Sequence, residues 1–227
     1  LSNLCCGKAY KAYPQSAQAK RKEVYRALES SVKELQSKGV KQIHIVCDHS
    51  ACSYELKSGL KELDSTLIIL DMPEFIESTL LPRLHITPLD EDIALYAMCS
   101  TRKGKWNKSL ESIAKTCTNG EVIVHSKTQC CGFAGNKGFI CSELNASALR
   151  ELSEFYADKQ TMESEKIDSN LESTKQSATQ NKAQKHKKLR LGFSSSSTCE
   201  IGLNDKTNII WQNLLYLVDS VSVSKNM

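Results

Sequence analysis

Cys130-Cys131-Gly132-Phe133-Ala134-Gly135-Asn136-Lys137-Gly138-Phe139 opens on a Cys-Cys-Gly triplet that also stands near the start of the chain, as Cys5-Cys6-Gly7. A second cysteine motif follows each triplet. These are Ala51-Cys52-Ser53-Tyr54-Glu55-Leu56 and Thr198-Cys199-Glu200-Ile201-Gly202-Leu203, each leading into an apolar, helix-like stretch. Self-similarity of this kind sets the architecture, so it is read before individual elements. Cys6 to Cys52 is 46 positions and Cys131 to Cys199 is 68, so the second copy needs an insertion of 22. From about 158 to 188 the chain runs through Gln, Ser, Thr, Glu, Lys and Asn with no aromatic residue. Such a stretch buries too little surface to offset its ordering entropy. It reads as the insertion, a disordered polar loop or a frayed charged helix.

Working outward, strands and helices alternate. Val24, Leu28, Val32 and Leu35 recur at helical spacing within Gln18–Gln36, and Gly39 stands just beyond as a stop. Gln42–Val46 reads as a strand, Ser53–Leu63 as a helix, Thr66–Leu70 as a strand, and Pro73 opens a helix over Glu74–Leu81. In the second copy Ile93–Met98 and Glu121–Val124 read as strands, with Asn107–Lys115 as the helix between them. Leu144–Tyr156 and Ile209–Val218 read as helices. This alternation predicts an α/β fold of two pseudo-repeated parallel-sheet units with flanking helices. The first unit spans 1–88 and is expected to be truncated at its start; the second spans 89–227 and carries the insertion. Functional residues belong in loops at the carboxyl ends of the strands, where Cys52 and Cys99 stand.

Composition narrows the function classes. Among 227 residues, 40% are hydrophobic, 25% charged and 6% aromatic, an ordinary globular balance with an aliphatic core. Eight of the 30 basic residues and four of the 26 acidic ones lie between Lys159 and Arg190, leaving 22 of each elsewhere. The net charge of +4 is therefore confined to the stretch 159–190, and a basic nucleic-acid face is not expected. No apolar run approaches the ~20 residues of a membrane span, and no leader with a cleavage site opens the sequence. The expectation is a cytoplasmic protein, or one peripheral at the inner face of a membrane. Leu1 rather than Met, with a Cys-Cys-Gly motif so close behind, suggests a fragment.

Ten cysteines are the unusual feature. Vicinal pairs make poor disulfide partners for each other, and a chain of this length without a secretory signal is expected to keep its thiols reduced. Cys99, then Cys130-Cys131 after thirty intervening residues, then Cys199 offer four thiolates from three strand-end loops, a set that suits an iron–sulfur cluster or a tetrahedral zinc. The first copy offers Cys5, Cys6 and Cys52, and its counterpart of Cys99 would lie upstream of Leu1. Gly132, Gly135 and Gly138 are candidates for close backbone approach to a bound cluster, with loop N–H groups hydrogen-bonded to sulfur. Their spacing matches neither nucleotide fingerprint. Cys117 and Cys141 read as structural. Cys47 is a candidate extra ligand, and His49 reads as a loop histidine in an ordinary hydrogen bond.

Cys131-Gly132-Phe133-Ala134-Gly135-Asn136-Lys137-Gly138-Phe139 with Ser142-Glu143-Leu144 resembles the terminal signature of the FAD-linked D-lactate dehydrogenases. Thr198-Cys199-Glu200-Ile201-Gly202-Leu203 resembles their last motif, and Leu70-Asp71-Met72-Pro73-Glu74-Phe75-Ile76 and Met98-Cys99-Ser100-Thr101-Arg102-Lys103 resemble other family segments. The paired Cys-Cys-Gly module is also similar to that of heterodisulfide reductase B-type subunits and of the iron–sulfur subunits of glycolate oxidase and anaerobic glycerol-3-phosphate dehydrogenase. The resemblance implies a [4Fe–4S]-type electron relay. It implies partner regions upstream, an FAD domain and a ferredoxin-like domain, with electrons leaving to a quinone or cytochrome. This chain shows neither a flavin motif nor a ferredoxin cysteine run, so alone it is expected not to oxidise lactate.

Two departures bear on the chemistry. The heterodisulfide reductase pattern ends in Cys-x-x-Cys, whereas here Ser196 stands three before Cys199 and His49 three before Cys52. A five-thiolate noncubane site is thus not expected, while a four-thiolate site remains available in the second copy. Asn136 stands where the family commonly has Asp. The alternatives to the lactate reading are a subunit of one of the related reductases, or a zinc-stabilised docking module without redox chemistry.

Overall fold

The computed structural model describes residues 4–60, 67–127, 129–133, 137–172 and 189–225. After Gly7 comes a short 3-10 turn, then α1 (Pro14–Ser37), β1 (Ile45–Cys47), α2 (Ser50–Leu60), β2 (Ile69–Asp71) and α3 (Met72–Phe75). A π-helical turn over Ile76–Leu80 leads to β3 (Leu84–Ile86). The second unit follows as β4 (Ile93–Tyr96), α4 (Cys99–Lys103), α5 (Asn107–Cys117), β5 (Val122–Val124), α6 (Lys137–Ile140) and α7 (Ser142–Glu172). It closes with β6 (Leu191–Ser194), α8 (Ser197–Lys206), β7 (Ile210–Asn213), α9 (Leu214–Val221) and β8 (Ser222–Ser224). β1 and β2 pair in parallel; β5-β4-β6-β7 form a second, wholly parallel sheet in that order. The fold is α/β with parallel sheets and flanking helices.

The repeat is visible element by element. β1–α2–β2–α3 follows the same course as β6–α8–β7–α9, and each is preceded by a long helix, α1 or α7, that starts beyond the Cys-Cys-Gly loop. Side chains alternate across β4: Ile93 and Leu95 enter one core with α5 and α9, while Ala94 and Tyr96 enter the other with α7 and α8. A parallel sheet covered on both faces needs this, and every residue of β4 is buried. The tail of the first unit joins the second. Met72 and Ile76 pack among Ile93, Leu110 and Leu217, and β3 pairs antiparallel with β8.

Several local expectations change. The segment 209–218, read as one helix, is strand β7 followed by α9, whose N-cap Asn213 accepts a hydrogen bond from the Leu215 N–H at 3.0 Å. Strand β6 was not anticipated, because Gly192 interrupts its apolar run; a Cβ there would stand 2.6 Å from the Trp211 ring. The polar stretch from 158 is not a loop at its start: it prolongs α7 to Glu172, and Gln160 donates to the Leu189 carbonyl at 2.7 Å. The remainder of the expected insertion, 173–188, lies outside the described residues, as does Gly135.

Candidate metal centre

Strand order places the cysteines. From β4 the chain moves outward to β5, then returns past β4 to β6, so the connection reverses direction between β4 and β6. In open parallel sheets the crevice at the carboxyl ends of two such strands is where ligands bind. Cys99 opens α4 after β4, Cys199 is the third residue of α8 after β6, and Cys130-Cys131 follow β5. Three separate crossovers therefore deliver four thiols to one crevice. Cys52, the third residue of α2 after β1, holds the equivalent place in the first unit.

In the second unit the thiols make a row. The Cys131 thiol donates to Cys199 Sγ at 3.1 Å, and Cys130 lies near enough to Cys99 and Cys131 to perturb both thiols. Cys131 and Cys199 are buried, Cys99 is half-buried and Cys130 is exposed. Cys130, as donor, pulls the Cys131 pKa down, but Cys199 and burial outweigh it and push the value up to about 12. Contact with Cys130, then burial, raises Cys99 well above the ordinary thiol range. Backbone donors back the row: the Gly132 N–H points at Cys130 Sγ at 3.4 Å and the Phe133 N–H supports Cys131. Asn145 on α7 donates to the Cys131 carbonyl at 2.6 Å and pins the loop.

The first unit repeats the pairing. Cys6 is in contact with Cys52 and receives the Lys8 N–H, two residues on, as Cys131 receives that of Phe133. Cys52 lowers Cys6 to about 6 against the opposing effect of burial, and Cys6 and burial raise Cys52. Lys8 contributes to lowering Cys6, and its ammonium donates to Ser100 Oγ at 3.0 Å, next to Cys99 in the second unit. Cys5 is half-buried beside this pair. Cys47 on β1 packs in the same cluster as Cys6, its thiol raised by burial.

Among the described residues, no three Cys, His, Asp or Glu side chains surround one point closely enough to hold a single metal ion. The thiols stand instead as a row of four and a pair. Two thiolates on one metal, with bonds of about 2.3 Å, stand roughly 3.8 Å apart; the 3.1 Å contact of Cys131 and Cys199 is a thiol–thiol hydrogen bond that must lose its proton first. The donor chemistry fits an iron–sulfur cluster: thiolates from three loops, backed by N–H groups, in a crevice that is partly buried. Cys117, the last residue of α5, is in the opposite core, and Cys141 stands in the turn between α6 and α7; neither is in the row.

The glycines have packing roles. Gly132 has φ 71°, and a Cβ there would stand 2.5 Å from the Leu144 carbonyl oxygen; at Gly7, with φ 85°, the same distance separates it from the Ala17 oxygen. Gly138 lies under the Phe133 ring, where a Cβ would be 2.3 Å from a ring carbon. These contacts fit each loop onto its helix.

Sequence reasoning missed the polar seam between the two units. Ser50 donates to buried Asp71 at 2.8 Å and lies 3.2 Å from Ser195, which is 3.0 Å from Thr101. Ser53 donates to the other Asp71 oxygen. His49 Nδ1 accepts the Ala51 N–H at 3.2 Å, which leaves neutral Nε2–H to donate to Ser196 Oγ at 3.2 Å. The run Ser194-Ser195-Ser196-Ser197 was the available signal, since buried hydroxyls need partners. An open depression lined by Ser197, Glu200, Asn213 and Tyr216 holds none of the thiols. Compared with protein-family models, curated proteins and solved structures, the chain matches none.

Proposed function

We propose that this chain is the iron–sulfur electron-transfer module of a flavin-dependent D-lactate (2-hydroxyacid) dehydrogenase. The observation that carries the reading is the row Cys99–Cys130–Cys131–Cys199, assembled from three strand ends at the reversal of the parallel sheet. Its smaller repeat, Cys6–Cys52, supports a duplicated module. When bound, the cluster supplies a one-electron store. Cys99, Cys130, Cys131 and Cys199 hold it, and the Gly132 and Phe133 N–H groups stabilise negative charge on the sulfurs. The partners are an FAD domain and a ferredoxin-like domain of the same protein or complex, with a quinone or cytochrome as acceptor. The setting is cytoplasmic or peripheral to the membrane; among the described residues no helix is long and apolar enough to cross one.

The disulfide-reducing alternative loses support at His49 and Ser196. These hold the places of the missing thiolates, and they hydrogen-bond each other across the seam. Anaerobic reconstitution with iron and sulfide tests the proposal. A brown product absorbing near ~400 nm, with acid-labile sulfide, is expected; colourless protein retaining stoichiometric zinc would establish the structural docking reading instead.

A further inference from the structure

Two buried donors beside the thiol row have no partner. Tyr96 Oη and Arg102 Nη1 are the side-chain atoms that are both buried and without a hydrogen bond among the described residues. Tyr96 is 1% exposed, at the carboxyl end of β4 and three residues before Cys99; Arg102 is three after it, on α4. The guanidinium carbon stands over the Tyr96 ring, 5.9 Å from its centre, and in the sequence the two residues stand on either side of Cys99. Tyr96 packs in the same buried cluster as Cys131 and Cys199. A phenylalanine would fill this space equally well, and buried hydroxyls are almost always paired. A tyrosine held here without an acceptor points to an acceptor that arrives with a ligand.

We propose that Tyr96 and Arg102 form the donor wall of the thiol site, the phenol hydrogen-bonding to a sulfur of the bound cluster and the guanidinium offsetting its negative charge. This rests on the iron–sulfur reading and extends it to two positioning residues that set the reduction potential. Both favour the more negative, reduced cluster over the oxidised one, because a donor binds more strongly to the sulfur that carries more charge.

The test compares wild type, Tyr96→Phe and Arg102→Gln after anaerobic reconstitution, by iron and sulfide content and by potentiometric titration followed by electron paramagnetic resonance. Wild-type iron content in both variants, with midpoint potentials lowered by a tenfold change in the redox equilibrium, is expected; for a one-electron couple that is about 59 mV. Apo Tyr96→Phe should melt no lower than apo wild type, since it loses a hydroxyl that has no partner until the cluster binds. Loaded variants with the wild-type potential would overturn this inference alone. Wild-type protein that assembles no chromophore would overturn it together with the iron–sulfur reading.

Discussion

The two copies of the Cys-Cys-Gly unit fold alike but surround their second cysteine differently. In each, a positive-φ glycine turns the chain so that the second cysteine meets the cysteine in the first turn of a helix, with the N–H two residues on as support. In the first copy the Cys-Cys-Gly thiol is lowered to about 6; in the second it is pushed up to about 12. The residue after the glycine is one source of the difference: Lys8 adds a cation beside Cys6, whereas Phe133 puts an aromatic ring into the core beside Cys131. Geometry was therefore duplicated while electrostatics diverged. The second copy also has Cys99 in contact with Cys130, a third strand's contribution that the Cys6–Cys52 pair lacks among the described residues.

The largest effects should come from the thiols themselves. Cys131→Ser is expected to abolish cluster assembly in the second unit, and Cys117→Ser to leave iron content unchanged, as measured by metal analysis after desalting. After partial chelation the iron that remains should be the second unit's, lost in Cys131→Ser and kept in Cys6→Ser. Equal retention in both variants would break the proposed ranking of the two sites.

Gly132→Ala and Gly7→Ala probe whether the two loops are equivalent. Each new methyl would meet a helix carbonyl oxygen at 2.5 Å on a left-handed backbone, so both should lose roughly 2–4 kcal/mol. For a chain of this size each kcal/mol lowers the melting temperature by about 2–4 °C. If only one variant melts early, the loops are not the structural repeats described.

A smaller loss is expected at the seam. Asp71→Ala removes the carboxylate that accepts from both Ser50 and Ser53 and should cost about 1–3 kcal/mol in chemical denaturation. Asp71→Asn, which keeps one acceptor, should cost less.

The smallest effect separates His49 from its non-titrating partner Ser196. Burial, then the Lys8 charge, depresses the His49 pKa against the smaller pull of Asp48. The folded protein then binds fewer protons than the unfolded one. Its contribution to stability is full above about 6.5 and is lost as pH falls through the depressed folded value. Denaturation midpoints measured from pH 7.5 to 5 should fall by no more than roughly 1 kcal/mol after solvent screening, and His49→Gln should flatten that slope.

Much of this was legible in the sequence because cysteine spacing reports topology. Cys99 and Cys52 were placed at strand ends from the apolar runs before them, and the structure has them there. Strand β6 was not legible from its residues: Leu191-Gly192-Phe193-Ser194 is short and carries a glycine, and only Trp211 from the next strand explains that glycine. Carrying β1 over onto the second copy would have found it. At the first residues of the polar insertion the charged-helix reading holds rather than the loop, because α7 continues there from its packed amino-terminal half, with Leu149, Leu152 and Tyr156 buried. Tyr96 and Arg102 carried no signal, since an unpaired donor is a property of three-dimensional surroundings alone.

The sharing of Met72, Ile76 and β3 with the second core has a consequence for the history and handling of this module. A duplicated gene usually leaves two pieces that can be separated at the boundary of the repeat. Here a scission near 88 would strip the second piece of two core side chains and of the strand that covers β8. The copies have become mutually dependent since they diverged. A piece meant to carry the thiol row by itself should begin ahead of Met72, so that it inherits from its sibling the segment it can no longer do without.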